Sequence, residues 1–444
     1  MKNILVIGAG RSSSSLIRYL VEHSKENSWQ LSIADQNFSL LPQEVKDNKL
    51  VQLVTFDVHD DKHREELVTQ ADIVISMLPW KFHIIVIKTC IQLKKNVITP
   101  SYVSDDVKAL DEEAKQAGIV IMNELGVDPG IDHMSAMKML DEIRNRGDEV
   151  THFESFTGGL VAPESDNNPW NYKFTWNPRN VVLAGQGGVA KFIENGEFKY
   201  IPYHKLFRRT EFITIDNYGK FEGLANRDSL KYQSIYGLDD IKTIYRGTLR
   251  RVGFGRAWDI FVQLGATDDS YIIENSEQMT YREFINSFLP YDKHNSVELK
   301  LRHYLKIDQD DTLWEKLEWL GIFEHKKIGL KKATPAQILQ KILEDKWTLD
   351  PTDKDMIVMW HKIKYKNAEG KEKQITSSMV SIGETQKYTA MSNTVGLPVG
   401  ICCKLILDGT IKLQGVQLPI TPEVYNPILD ELETCGIVFN EKEE

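Results

Sequence analysis

The 444-residue sequence predicts an α/β fold: a doubly wound parallel sheet at the N-terminus, a second α/β domain with a mixed sheet, and a small all-helical insertion. Three observations predict it. Short Ile- and Val-rich runs alternate with amphipathic stretches over residues 1 to about 125. A glycine turn follows the first run. Beyond about residue 127 the pattern mixes strand alternation with helical spacing, becomes wholly helical, and then alternates again.

In the first region the strands fall at 3–7, 30–34, 51–56, 72–77, 96–98 and 118–122, with helices at 14–22, 63–69, 82–93 and 105–117. Continuous apolar runs suit strands covered on both faces, and such a sheet binds its ligand beyond the carboxyl ends of the strands. Next, 211–215 and 258–262 alternate as strands of the second domain. Residues 281–288, 313–320 and 335–344 carry the helical spacing of the insertion. Residues 356–365 then alternate, turn at Asn367-Ala368-Glu369-Gly370 and return as a hairpin, and helical patterns close the chain at 397–406 and 424–435.

Composition limits the function. With 54 Lys+Arg against 64 Asp+Glu the net charge is −10, which argues against nucleic acid or an anionic membrane as the main partner. No run approaches 18 consecutive apolar residues, and no signal-peptide pattern opens the chain. Four cysteines cannot build a disulfide framework at this length, so a reducing, cytoplasmic setting is expected. Cys402 and Cys403 read as core, no metal-ligand spacing occurs, and the Lys326–Lys332 stretch reads as a solvated face. The scattered histidines read as satisfying local hydrogen bonds, and Trp80 beside Pro79 as packing, with a place bordering a cofactor as the alternative.

The first turn, Gly8-Ala9-Gly10-Arg11-Ser12-Ser13, joins a strand to a helix, which is the context that makes a G-x-G-x-x-S pattern informative. Glycine lets the backbone approach a pyrophosphate, and the free N–H groups of the helix start favour its charge. Ser13 is small enough to keep the helix close to the strand. The first domain is therefore expected to be of the Rossmann type. Asp35, ending the second strand, suits a ribose 2′-hydroxyl and repels a 2′-phosphate, which favours NAD over NADP. Arg11 is the feature that would admit NADP. Asp57, ending the third strand, is the corresponding candidate for the adenine side.

After the sixth strand comes Gly126-Val127-Asp128-Pro129-Gly130-Ile131-Asp132-His133, a loop held in one shape, with Asp132 as an expected N-cap. This block stands in order with Val74-Ile75-Ser76-Met77-Leu78-Pro79-Trp80-Lys81-Phe82-His83, Thr99-Pro100-Ser101-Tyr102, Thr157-Gly158-Gly159-Leu160-Val161-Ala162-Pro163-Glu164, Tyr172-Lys173-Phe174-Thr175-Trp176, Asn226-Arg227-Asp228-Ser229 and Arg246-Gly247-Thr248-Leu249-Arg250. Over nearly its whole length the chain resembles saccharopine dehydrogenase of the L-glutamate-forming type.

The resemblance implies a reaction in which hydride leaves the lysine-side carbon of saccharopine, giving an imine that water splits into glutamate and aminoadipate semialdehyde. It implies that Ser101, Tyr102 and Asp128 line the substrate near the nicotinamide, and that Trp176, Arg227, Thr248, Leu249 and Arg250 hold the remainder. Cofactor contacts are implied at Gly8, Gly10, Arg11, Ser12, Ser13, Asp35, Asp57, Val58, Leu78, Ser101, Val127, Asp128 and Pro129. It also implies a homodimer and a C-terminus that returns to the first domain. The domains expected are thus 1–126 with about 394–444, then 127–276 with 349–393, and the insertion 277–348.

A substrate with three carboxylates needs fixed cations, and arginine grips carboxylate through a bidentate fork, which singles out Arg227 and Arg250. Arg251 falls on the opposite face if this stretch is a strand. Tyr102 and Asp128 are the acid–base candidates, with a purely positioning role as the alternative. Some family members have Cys where Thr157 stands, so a thiol cannot be essential here. The rivals are a carboxynorspermidine or homospermidine type of synthase, whose amine-rich substrates call for acidic residues, and a non-catalytic NAD(P)-binding regulator.

Overall fold

The computed structural model describes residues 1–308 and 311–444 and divides the chain into two compact units. The first comprises Met1–Glu149, Asn367–Lys371 and Met379–Glu441; the second comprises Val150–Lys366, Glu372–Ser378 and Lys442–Glu444.

The first unit carries a seven-stranded parallel sheet. Six strands are those expected: β1 (Lys2–Ile7), β2 (Trp29–Asp35), β3 (Val51–Thr55), β4 (Ile73–Ser76), β5 (Asn96–Ile98) and β6 (Val120–Met122). Their order is β3-β2-β1-β4-β5-β6, and a seventh strand, Gly415–Gln417, lies beyond β6. All neighbours are parallel, so the order reverses between β1 and β4 and opens a crevice at their carboxyl ends. The buried apolar residues of β1, β4 and β5 are Ile and Val with Leu5, as two covered faces demand.

The Ser14–Asn27 helix packs on the Ala390–Leu407 helix; the backbone N–H of Ser15 donates to Ser392 Oγ at 2.9 Å and its hydroxyl to Asn393 Oδ1 at 2.6 Å. The Ala390–Leu407 helix is long and apolar enough to cross a membrane by length and composition, yet most of it is buried inside the protein. The stretch expected as one helix over 105–117 is two, Asp105–Lys108 and Asp111–Ala117. Asp132 is not an N-cap. Gly130 holds that place, and Asp132, one residue into the Ile131–Asn145 helix, accepts the Gly130 N–H at 2.6 Å.

The second unit is built on a nine-stranded mixed sheet. Its strands are β7 (Glu149–Val161), β8 (Ala190–Glu194), β9 (Glu197–Ile201), β10 (Thr210–Ile215), β11 (Gly219–Ala225), β12 (Thr243–Arg251), β13 (Asp355–Lys366), β14 (Glu372–Ile382) and a closing strand, Phe439–Glu443. β12 runs parallel to β7 and antiparallel to β11. The 258–262 run, expected as a strand, lies in the Phe254–Leu264 helix. Its five residues alternate, but Phe254, Ala257, Trp258, Phe261 and Val262 repeat at helical spacing and are all buried, so the longer period wins. Residues 277–348 hold the helices Tyr281–Ser287, Val297–Leu305, Thr312–Trp319 and Pro335–Trp347. The first and last begin with capping boxes built on Thr280 and Thr334.

Candidate active site

In the first unit the glycine turn sits at the crevice. Gly8 has φ +110°, and a Cβ there would lie 2.9 Å from the Met77 carbonyl carbon, so only glycine lets β1 pass into the turn beside β4. At Gly10 an added Cβ would meet nothing within 4 Å, and Gly10, which caps the Arg11–Ser13 turn, has no side chain to take the N–H groups there. That open backbone cradle fits a pyrophosphate. Arg11 is exposed beside it, Ser12 is half-buried and Ser13 is buried, its hydroxyl donating to Gly10 O at 2.7 Å. Asp35 takes the Ala9 N–H on Oδ2 at 2.6 Å and the Asn37 N–H on Oδ1 at 2.9 Å, so its carboxylate braces the turn itself. Asp57 is exposed and accepts from His59 N, Val58 is buried, and Leu78 is half-buried past the end of β4.

At the carboxyl ends of β5 and β6 the candidates meet. Tyr102 donates its hydroxyl to Asp128 Oδ1 at 2.9 Å. Asp128 precedes Pro129 through a cis peptide bond, between buried Val127 and the Gly130 turn. Gly130 has φ +147°, and a Cβ there would stand 2.0 Å from Gly126 O, so this turn closes only with glycine. Ser101 is half-buried, with Oγ 2.7 Å from His83 Nε2. Buried Glu124 accepts the Val103 N–H at 2.9 Å and lies 2.7 Å from His133 Nε2, while its own N–H donates to Ser101 O at 3.0 Å. The segment carrying Ser101 and Tyr102 is therefore held at both ends. A cavity of about 120 Å³ opens between Trp80, His83, Thr99 and Tyr102. Trp80, expected to pack, is 75% exposed at its rim, because the turn over Trp80–Phe82 carries its ring outward.

In the second unit Thr248 and Arg250 share one face of β12, and Thr157 of β7 stands level with Thr248. Arg250 is only 7% exposed, and its guanidinium lies 5.1 Å from the Tyr172 ring centre and 5.4 Å from that of Phe254. Its Nη1 donates to Leu249 O at 2.8 Å, and no carboxylate lies within 4 Å among the described residues. Nearby buried Lys173, by contrast, is paired with Asp353 at 2.5 Å. The buried hydroxyls of Thr157 and Tyr172 have no acceptor for their protons among the described residues. Burial raises the Tyr172 hydroxyl pKa, while the Arg250 charge and an N–H from Trp176 pull the other way, which places Trp176 beside Tyr172. Trp176 itself is 36% exposed. Leu249 is buried on the opposite face from Arg250, and Arg251 lies over the Phe221 ring. Arg227 is exposed, has φ +54°, and accepts the Lys191 N–H on its carbonyl at 2.9 Å. Tyr172, Glu124, His133 and His83 escaped sequence reasoning as site residues; only their places inside or beside the ordered blocks pointed to them.

No group of three His, Cys, Asp or Glu able to hold a metal exists among the described residues. Cys90, Cys402 and Cys403 are buried, and burial pushes their thiols far up.

Residues 4–122 match the model of the saccharopine dehydrogenase NADP binding domain, and residues 126–437 match that of the saccharopine dehydrogenase C-terminal domain. The saccharopine dehydrogenase [NADP(+), L-glutamate-forming] of Schizosaccharomyces pombe is 33% identical over 451 residues, covering 100% of this chain and 99% of that protein. The mitochondrial alpha-aminoadipic semialdehyde synthase of Rattus norvegicus is 33% identical over 99% of this chain, but the chain spans about half its length, 47%. The solved apo saccharopine dehydrogenase (L-Glu forming) of Saccharomyces cerevisiae superposes with a TM-score of 0.91 at 31% identity, covering 100% of both chains. A homospermidine synthase of Legionella pneumophila, solved with NAD, gives 0.56 at 10% identity over 100% of this chain and 91% of that one, a likeness of fold alone.

Proposed function

The chain belongs to the saccharopine dehydrogenase family, and from that premise we propose that it interconverts saccharopine with L-glutamate and aminoadipate semialdehyde. In the oxidative direction the lysine-side carbon gives up hydride, the substrate nitrogen becomes an imine, and water splits it. The nicotinamide, when bound, takes or returns that hydride.

The observation that carries this reading is Arg250, a buried guanidinium with no carboxylate beside it among the described residues. Burying an uncompensated charge is costly, and a substrate carboxylate is the compensation that fits, with the Tyr172 and Thr157 hydroxyls as further donors. Trp176, Thr248 and Arg227 complete the substrate contacts in this proposal, while the Leu249 side chain, on the other face of β12, leaves only its backbone on this side. A synthase acting on polyamines would place acids there, and a regulator has no use for an unmet cation. In the first unit, the proposal gives Ser101 a place near the nicotinamide. Tyr102 and Asp128 share a proton that the hydrogen bond already connects, either passing it to the substrate nitrogen or water or only orienting them.

We favour NADP as the coenzyme. The names of the relatives support it, Asp35 spends both oxygens on backbone N–H groups, and Arg11 stands exposed beside the turn for a 2′-phosphate. A homodimer, a cytoplasmic setting and the division at 277–348 into a helical insertion are part of the same proposal.

The test is turnover. Purified protein given saccharopine and NADP should form reduced coenzyme and release glutamate, and NAD should serve less well. Activity with a polyamine adduct instead would replace the reading with the synthase one. Arg11→Ala should narrow the NADP-to-NAD ratio of kcat/KM; an unchanged ratio would return the choice to Asp35 and to NAD.

A further inference from the structure

We propose that His83 is a positioning residue for Ser101, holding the serine hydroxyl in one hydrogen-bonding role at the mouth of the crevice. The inference rests on the reading of Ser101 as a cofactor or substrate contact and goes one step behind it. His83 opens the His83–Gln92 helix and is buried. Its Nδ1 lies 2.8 Å from Ser76 Oγ and its Nε2 2.7 Å from Ser101 Oγ, while Thr99 Oγ1 closes one edge at 3.1 Å from Nε2. Ser76 ends β4, and Ser101 stands three residues past β5. The imidazole therefore ties together the carboxyl ends of two adjacent parallel strands, at the place where such sheets bind ligands.

Burial lowers the ring pKa to about 4, so the imidazole is neutral at working pH. A neutral ring has one donor and one acceptor nitrogen. With one nitrogen on each serine, the two hydroxyls must take opposite roles: when Ser76 donates to Nδ1, Nε2 donates to Ser101, and the Ser101 proton is left pointing to the crevice. A serine without this partner rotates among three staggered positions. With it, the rotor is set before a ligand arrives, which cuts the cost of binding. A ring serving only to fill the core would not need both nitrogens on hydroxyls, one of them on a half-buried residue of the site.

A double-mutant cycle tests the idea on the intact enzyme, reading NADPH Kd by fluorescence together with KM and kcat. Ser101→Ala and His83→Phe should each weaken the same parameter by about 5- to 10-fold, the scale of one hydrogen bond. The double variant should be no worse than Ser101→Ala alone, and His83→Gln, which keeps a donor and an acceptor, should recover most of the loss. Additive effects, or a silent His83→Phe, would overturn the proposal. A silent Ser101→Ala would instead overturn the reading of Ser101 on which it stands. If His83→Phe does not fold, Ser76→Ala loosens the ring from its far side and should weaken the same parameter by about 3-fold; an unchanged Ser76→Ala would be equally fatal.

Discussion

The two units treat their buried polar groups in opposite ways. In the first, Ser76, His83, Ser101, Glu124, His133, Tyr102 and Asp128 satisfy one another in short hydrogen bonds. In the second, the Arg250 guanidinium and the Thr157 and Tyr172 hydroxyls have no acceptor side chain among the described residues, although Lys173 close by is given Asp353. A network that is complete within the protein fixes atoms in place and suits chemistry, where displacement is expensive. A set of donors left unmatched in low dielectric suits recognition, because the ligand supplies the missing acceptors and a molecule lacking them is penalised. The unit proposed for chemistry and the unit proposed for recognition thus differ in how their buried polar groups are matched.

Four measurements break or sharpen that contrast. The largest effect belongs to the complete network: Tyr102→Phe or Asp128→Asn should lower kcat by about 100-fold or more if the pair moves a proton, with KM little changed. A change confined to KM would reduce the pair to positioning. Next, Arg250→Met should raise the saccharopine KM by about 30-fold, the worth of a charge-assisted contact, while kcat holds. The same variant should unfold at higher denaturant, by about 1–2 kcal/mol, since it removes a buried unmatched charge. Loss of both affinity and stability would mean that Arg250 is a structural residue. Tyr172→Phe should then cost about 5-fold in KM, one neutral hydrogen bond, with no loss of stability.

The smallest effect concerns Glu211 on β10, also in the second unit. Burial, aided by repulsion from Glu154, raises its carboxyl from the ordinary 4.5 to about 7. The folded protein holds this proton longer than the unfolded chain does, so stability falls as pH rises from about 4.5 to 7 and the full cost applies above that. Glu211→Gln should therefore stabilise by about 1 kcal/mol at pH 8, after allowing for solvent screening, and by only about a quarter of that at pH 5. Urea midpoints at the two pH values decide it. Equal gains at both would trace the effect to packing.

Much of this organisation is visible in the residues themselves, and the exceptions have physical causes. The six strands of the nucleotide sheet announce themselves as apolar runs because both faces are buried, whereas Gly415–Gln417 is too short to carry any period. The Trp-Asp-Ile-Phe-Val run imitates a strand because five residues span less than two helical turns. The Val297–Leu305 helix went unread because it buries only Val297 and Leu301. At the site, Arg250 could be reached through its ordered block and its carboxylate chemistry. What sequence cannot display is which polar groups find partners: Glu124, His133 and His83 are separated from the atoms they hold by 7 to 23 positions, and nothing local marks them.

The seventh strand and the Ala390–Leu407 helix also set a schedule for synthesis. Met379–Glu441 completes a unit whose main body ends at Glu149, and roughly 230 residues of other chain leave the ribosome between them, about 10 to 50 seconds at ordinary elongation rates. During that interval the face of the Ser14–Asn27 helix that will meet Ala390–Leu407 waits uncovered. A nascent chain arrested short of residue 379 therefore presents that face to chaperones.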